Sequence, residues 1–130
     1  MKILVFNGSP KKEKSDTMHI TRAFLDGVKE IAAQEIHTVD VIDRHIEFCR
    51  GCFVCKYNGG RCVIDDDMRG ILEQMLASDL LLFSYPLYCY GMPAGLKNLI
   101  DRTLPLSSMA MAEVNGRYIH VGRRDYSHLR

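Results

Sequence analysis

The sequence has 130 residues, 47% of them hydrophobic, enough for one modest core and too few for two ordinary domains. Seventeen Lys and Arg against sixteen Asp and Glu give a formal charge of +1, so no global field favours nucleic acid or an anionic membrane. No apolar run approaches the ~18 residues of a membrane span, and the five cysteines lack the secretory context of a disulfide framework. A single cytoplasmic domain over residues 1–130, with reduced thiols or a metal site, is the expectation.

Ile3, Leu4, Val5 and Phe6 form an unbroken apolar run, the pattern of a strand buried on both faces. Asn7 to Thr17 then joins that strand to an amphipathic segment through small, hydroxylated residues. A helix N-terminus presents unpaired N–H groups and the positive end of its dipole, so this loop reads as a phosphate cradle. Ser9, Ser15 and Thr17 supply hydroxyls, and Lys11, Lys12 and Lys14 supply positive charge. A plain turn capped by Ser15 or Asp16 fits the same residues. The spacing matches neither the Walker pattern nor Gly-x-Gly-x-x-Gly, which leaves a mononucleotide phosphate as the candidate anion. Ile20, Phe24, Val28 and Ile31 predict one helical face packed on a sheet, in a helix from about Asp16 to Gln34. Glu35 to Ile42 is a more polar strand, suited to an edge, and His37 and His45 read as solvated.

Residues 47–64 read as a cysteine-rich loop with Gly51, Gly59 and Gly60. Its Cys49, Cys52, Cys55 and Cys62 suit a [4Fe–4S] cluster, a zinc site or free redox-active thiols. Asp65, Asp66 and Asp67 place negative charge where a helix begins, with a divalent-cation site as the alternative. Met68, Ile71, Leu72, Met75 and Leu76 form the apolar face of that helix. Leu80 to Phe83 is a second fully apolar run and predicts a central strand. Cys89, outside the group of four, reads as a buried or semi-buried thiol. Pro93 suits the first turn of a helix whose buried face carries Leu96, Leu99, Ile100 and Leu104.

Alternating strands and helices of this kind imply parallel pairing and right-handed crossovers, a doubly wound α/β unit with strand order 2-1-3. The first and third strands are then neighbours, and Gly8 to Thr17 faces Ser84 to Pro93 across a crevice. The second segment is aromatic where the first is polar. A ligand with a phosphate at one end and a flat ring at the other suits the pair, while packing or a subunit contact explains the tyrosines alone.

Three stretches together resemble the NADPH-dependent FMN reductase and iron-sulfur flavoprotein family. They are Gly8-Ser9-Pro10 with Ser15-Asp16-Thr17, the run from Cys49 to Met68, and Tyr85-Pro86-Leu87-Tyr88 continuing through Met92-Pro93-Ala94-Gly95-Leu96-Lys97 to Ile100-Asp101-Arg102. The resemblance implies a flavodoxin-like fold, FMN as cofactor and NAD(P)H as hydride donor. It implies a phosphate site on Ser9, Lys11, Ser15, Asp16 and Thr17, and an isoalloxazine site on Pro86, Leu87, Tyr88 and Gly91. Asp16 stands where relatives commonly carry Asn, and a carboxylate is tolerable beside a phosphate only if it points away or caps the helix. The four clustered cysteines are similar to the compact motif of the iron-sulfur branch and imply a [4Fe–4S] site there. No catalytic acid or base is assigned.

The family's sheet has five strands, and the sequence shows three before Leu104. Asn115-Gly116 signals a turn, and Arg117 to Val121 suits one short strand or hairpin arm, followed by a polar segment from Arg123 to Arg130. The chain thus resembles the N-terminal portion of a longer member, and a third strand with an open edge calls for cover, for instance in a homo-oligomer. Three functions stay open: a flavin-dependent oxidoreductase, an iron-sulfur electron carrier, and a non-catalytic association fragment.

Overall fold

Ile3, Leu4, Val5 and Phe6 are each at most 1% exposed, as a strand covered on both faces requires. They belong to β1 (Lys2–Asn7). In the computed structural model, which describes residues 1–123, α1 (Asp16–Ile31), β2 (Glu35–Asp40), α2 (Val54–Tyr57) and α3 (Met68–Ala77) follow. Then come β3 (Leu80–Ser84), α4 (Ala94–Asp101), β4 (Ser107–Val114) and β5 (Arg117–Gly122). The parallel sheet has the expected order β2-β1-β3, with Lys2 to Asn7 paired to Glu35 to Asp40 and Ile3 to Asn7 paired to Leu80 to Ser84. Among the described residues, no helix is long and apolar enough to cross a membrane.

Side chains alternate across the strands, so one sheet face sends Leu4 and Phe6 into a core with Val39, Met68, Ile71, Met75, Leu96 and Leu99. The other face packs Ile3 and Val5 against Leu25, with Val28, Ile36, Leu80 and Leu82 at the margin. Full burial of one such aliphatic side chain contributes about 1.5–3 kcal/mol, so this sandwich fixes where both loops leave the sheet.

Several expectations need correction. The first helix ends at Ile31, and its packed stripe is Met18, Thr21 and Leu25 with Val28, whereas Ile20, Phe24 and Ile31 face outward, at 73%, 50% and 86% exposure. The apolar arc of α1 is wider than the sheet covers, and Thr21 selects the stripe. Its hydroxyl hydrogen-bonds the Thr17 carbonyl at 2.9 Å and Ser84 Oγ at 2.8 Å. β3, expected in the centre, has β1 as its one strand neighbour among the described residues. Phe83 there is 37% exposed although its ring stacks on Phe6. Pro93 precedes α4 as its N-cap instead of lying in its first turn.

The region after Leu106 gives two hairpin arms where the sequence suggested at best one short strand or arm. Asn115 and Gly116 hold φ of 52° and 74°, the left-handed pair that a two-residue hairpin turn requires. This hairpin forms its own antiparallel sheet and does not extend the parallel one. The polar segment predicted from Arg123 lies, beyond that residue, outside the described residues.

Candidate functional site

The cradle begins at Asn7, a fully buried polar side chain at the end of β1. Its Nδ2 donates to Asp40 Oδ1 at 2.8 Å, and its Oδ1 accepts from the Ser9 amide at 3.0 Å. One amide thus ties β1 to β2 and starts the turn. The Gly8 N–H donates to the Ser84 carbonyl at 2.8 Å. A Cβ on Gly8 would stand 3.0 Å from Tyr85 Cβ and 3.2 Å from Leu96 Cδ2, so only glycine permits this approach. The polar loop and the aromatic loop therefore touch at their roots.

Past Ser9 the chain makes a single 3-10 turn over Lys12–Lys14, with the Lys12 amide bonded to the Ser9 carbonyl. Ser15, not Asp16, caps α1: its Oγ accepts from the Met18 amide at 3.3 Å and lies 3.2 Å from Thr17 Oγ1. Ser9 and Ser15 are buried and Thr17 is half-buried, while Asp16 is exposed. The Asp16 and Thr17 amides open the helix and have no acceptor among the described residues. The Ser15 and Thr17 hydroxyls, the free amides and the helix dipole thus meet at the start of α1, a donor set that suits a phosphate. Lys11 is exposed at its rim. Lys12 turns away to pair with Asp43 at 2.7 Å, and that hydrogen bond, with the charges of Asp43 and Asp40, raises its pKa against desolvation.

Across the cleft, the amides and carbonyls of Tyr88 and Gly91 exchange two hydrogen bonds of 2.8 Å. The turn between them holds Cys89 and Tyr90 at φ of 46° and 62°, a conformation that side chains adopt at a cost of order 1–3 kcal/mol each. Leu87, Tyr88 and Tyr90 are 69%, 49% and 98% exposed, and Pro86 and Gly91 are half-buried. Cys89 is exposed, contrary to the buried thiol expected, because the tight turn lifts it off the domain. A cavity of about 1180 Å³ lies elsewhere, between residues 58–64, α3 and the hairpin base.

The cysteine loop carries Cys55 buried, Cys62 half-buried, and Cys49 and Cys52 exposed. Burial pushes the Cys55 thiol up, the Lys56 ammonium opposes this, and the neighbouring Cys62, Cys49 and Cys52 reinforce it. Among the described residues, no three His, Cys, Asp or Glu side chains are arranged to hold a metal ion. The donors are right in kind for a cluster, but the arrangement does not form its cage.

What holds this loop was not read from the sequence. The Arg102 guanidinium, 2% exposed, donates to both Asp66 oxygens at 2.7 and 3.0 Å and to the Glu47 carbonyl at 2.6 Å, and reaches Cys62 Sγ at 3.6 Å. Asp66 also accepts from the Glu47 and Met68 amides, so it does more than face the helix dipole. Burial alone would raise its pKa, but these hydrogen bonds outweigh it and hold the carboxyl below its ordinary value. Buried Lys56 donates to the Leu104 and Ser107 carbonyls and to Ser107 Oγ. The sole cue in sequence was Asp66 and Arg102 themselves, and nothing local announces a contact 36 residues apart.

Comparison with known proteins agrees with this geometry. The family described as NADPH-dependent FMN reductase matches residues 1–122. The chain is 35% identical over 108 residues to an iron-sulfur flavoprotein of Methanocaldococcus jannaschii, covering 82% of this chain and 53% of that one. It is 36% identical over 124 residues to an iron-sulfur flavoprotein of Methanosarcina thermophila, covering 94% and 63%. An NAD(P)H:quinone oxidoreductase from Methanothermobacter marburgensis shares the fold, with a TM-score of 0.64 at 24% identity over 79% of this chain and 53% of that one. The chain spans between half and two thirds of the length of these relatives. With the sheet order, the cradle after β1 and a match running almost its full described length, this chain belongs to the NADPH-dependent FMN reductase family.

Proposed function

We propose that the chain binds FMN in the cleft between the two loops and passes electrons from NAD(P)H through it to an acceptor. The observation that carries this reading is the Gly8 junction with Ser84 and Tyr85, which sets a cradle of hydroxyls and free amides beside an exposed tyrosine turn. Ser9, Ser15, Thr17 and the first amides of α1 hold the phosphate, with Lys11 adding charge at the rim. Asp16, exposed at the helix start, keeps its carboxylate on the solvent side. Pro86, Leu87, Tyr88 and Gly91 flank the ring. Bound FMN supplies the hydride chemistry, and the protein supplies position and exclusion of water. Relatives named FMN-dependent NADH:quinone oxidoreductase make a quinone the first acceptor to assay.

Titration with FMN, followed by flavin absorbance and fluorescence, tests the reading. Uptake and bleaching by NADPH or NADH are expected, and a colourless protein that takes up no FMN removes it. Ser15→Ala should weaken FMN about 10-fold through the lost hydroxyl and lower stability by ~1 kcal/mol through the lost cap. The control Thr21→Ser keeps the hydroxyl that bonds Ser84 and should leave FMN affinity near wild type.

A second reading, an electron carrier built on Cys49, Cys52, Cys55 and Cys62, is favoured by the relatives named iron-sulfur flavoprotein and by the four thiols, which are donors of the right kind. Iron and sulfide analysis after anaerobic purification decides it. Iron near zero eliminates the cluster.

A further inference from the structure

The cavity between residues 58–64, α3 and the hairpin base holds about 1180 Å³ and shares no residue with the cleft between the two loops. Ligand clefts usually run to about 300–1,000 Å³, so an organic molecule fits here, not only a small ion. The charged side chains on its wall are unequal in sign: Arg61, Arg69, Arg102 and Arg123 stand against Glu73. Val63, Ile64 and Leu72 add apolar surface to the same wall.

The positive charge of that wall is only partly cancelled. Asp66 answers Arg102, and Asp65 answers Arg69 at 3.1 Å in an exposed pair that water screens. Arg123 is met by the Pro105, Cys55 and Lys56 carbonyls, which orient a guanidinium without neutralising it. Neither Arg123 nor Arg61 has a carboxylate partner among the described residues. Buried Lys56, whose carbonyl Arg123 holds, is likewise bound by uncharged oxygens of Leu104 and Ser107. Two cations set in place by neutral oxygens leave this side of the cavity electropositive.

Two further features show that the wall is fixed and incompletely satisfied. Gly60, at φ 87°, passes so close that a Cβ there would stand 2.8 Å from the Pro105 carbonyl oxygen and 2.9 Å from Arg123 Cδ. Only glycine allows that approach, and it pins the Arg123 side chain against the loop. Arg102 keeps its Nε–H buried without an acceptor among the described residues. A buried donor left unpaired is a standing cost, and an anionic oxygen drawn against this guanidinium relieves it.

We propose that this cavity is a second ligand site, for an organic anion with an apolar body. The anionic group, a carboxylate, sulfonate or phosphate, is held by the arginines, and the body lies on Val63, Ile64 and Leu72. The site stands apart from the FMN reading, since the two share no residue.

The test uses 8-anilinonaphthalene-1-sulfonate, an aromatic body with one fixed negative charge, titrated into the full chain and followed by its fluorescence. Saturable binding at one site per chain is expected. N-phenyl-1-naphthylamine, the same body without the sulfonate, should bind at least about 10-fold more weakly. Arg61 is exposed, so Arg61→Glu should leave circular dichroism unchanged while raising the dissociation constant of the sulfonate about 10-fold or more. Arg61→Lys keeps the charge and should retain most of the affinity. Amide hydrogen exchange locates the site without any variant: residues 58–64 should gain protection with the probe bound, while residues 9–17 of the cradle stay unchanged. Absence of a saturable site, equal binding of the uncharged probe, or indifference to Arg61→Glu overturns the proposal. Protection that falls on the cradle or the hairpin in place of residues 58–64 overturns it as well.

Discussion

Arg102→Ala is expected to destabilise the protein by about 3–5 kcal/mol, the cost of leaving a buried charge without its partner. The Asp66 side chain is fully buried beneath the guanidinium, and Arg102 also secures the Glu47 carbonyl and reaches Cys62. Losing it should free the whole segment from Glu47 to Asp66, so urea unfolding should show a lower midpoint and exchange should quicken throughout that loop. Arg102→Lys keeps the charge but cannot reproduce the planar fork and should recover only part of the loss. A double variant, Arg102→Leu with Asp66→Leu, removes both charges and should be less damaging than Arg102→Ala. It still leaves the Glu47 and Met68 amides without an acceptor, so recovery should be incomplete. An unfolding midpoint unchanged by Arg102→Ala would show that the pair contributes nothing.

The same pair sets an acid limit. Because the folded carboxyl of Asp66 titrates below its ordinary value, its contribution is present above the unfolded pKa of about 3.9 and is lost as pH falls through the folded value. Unfolding free energy should therefore drop on acidification below about pH 4. Asp66→Asn should be less stable at neutrality and should lack that part of the drop.

Gly8→Val should have the second large effect. A Cβ at this position meets Tyr85 Cβ at 3.0 Å, and both atoms are fixed to the backbone, so rotating a side chain brings no relief. Gly8→Ala should cost about 1–3 kcal/mol by overpacking, and Gly8→Val more. Forcing the loops apart should also weaken FMN by more than 10-fold on the reading above, since cradle and ring site would no longer meet at one junction. Gly27→Ala is the control. Nothing lies within 4 Å of its Cβ, and in a helix interior the change should stabilise by about 1 kcal/mol. If Gly8→Val binds FMN as tightly as wild type, the junction is not what assembles the site.

The elements were legible because their signals are local. Ile3 to Phe6 and Leu80 to Phe83 announced strands by unbroken apolarity, and Asn115-Gly116 announced a turn by its tolerance of positive φ. Hydroxyls at Ser9, Ser15 and Thr17 between a strand and a helix marked the candidate cradle. From these, chain order implied parallel pairing and right-handed crossovers, and the 2-1-3 order came from the fold class that such a pattern belongs to.

Tertiary structure decided which of two adjacent stripes on α1 is buried, because periodicity measures the spacing of apolar residues and not the width of the surface that covers them. It also decided the work of Asn7, Lys56, Asp66 and Arg102, whose partners lie 33 to 55 residues away. A buried polar group is defined by what satisfies it, and that partner is set by how the layers stack. In this chain, sequence by itself determined the three parallel strands, the helices that follow them and which residue types stand at the sheet's carboxyl edge, but not the second arm of the hairpin. Packing alone determined which charges are buried together and which apolar surfaces are left facing outward.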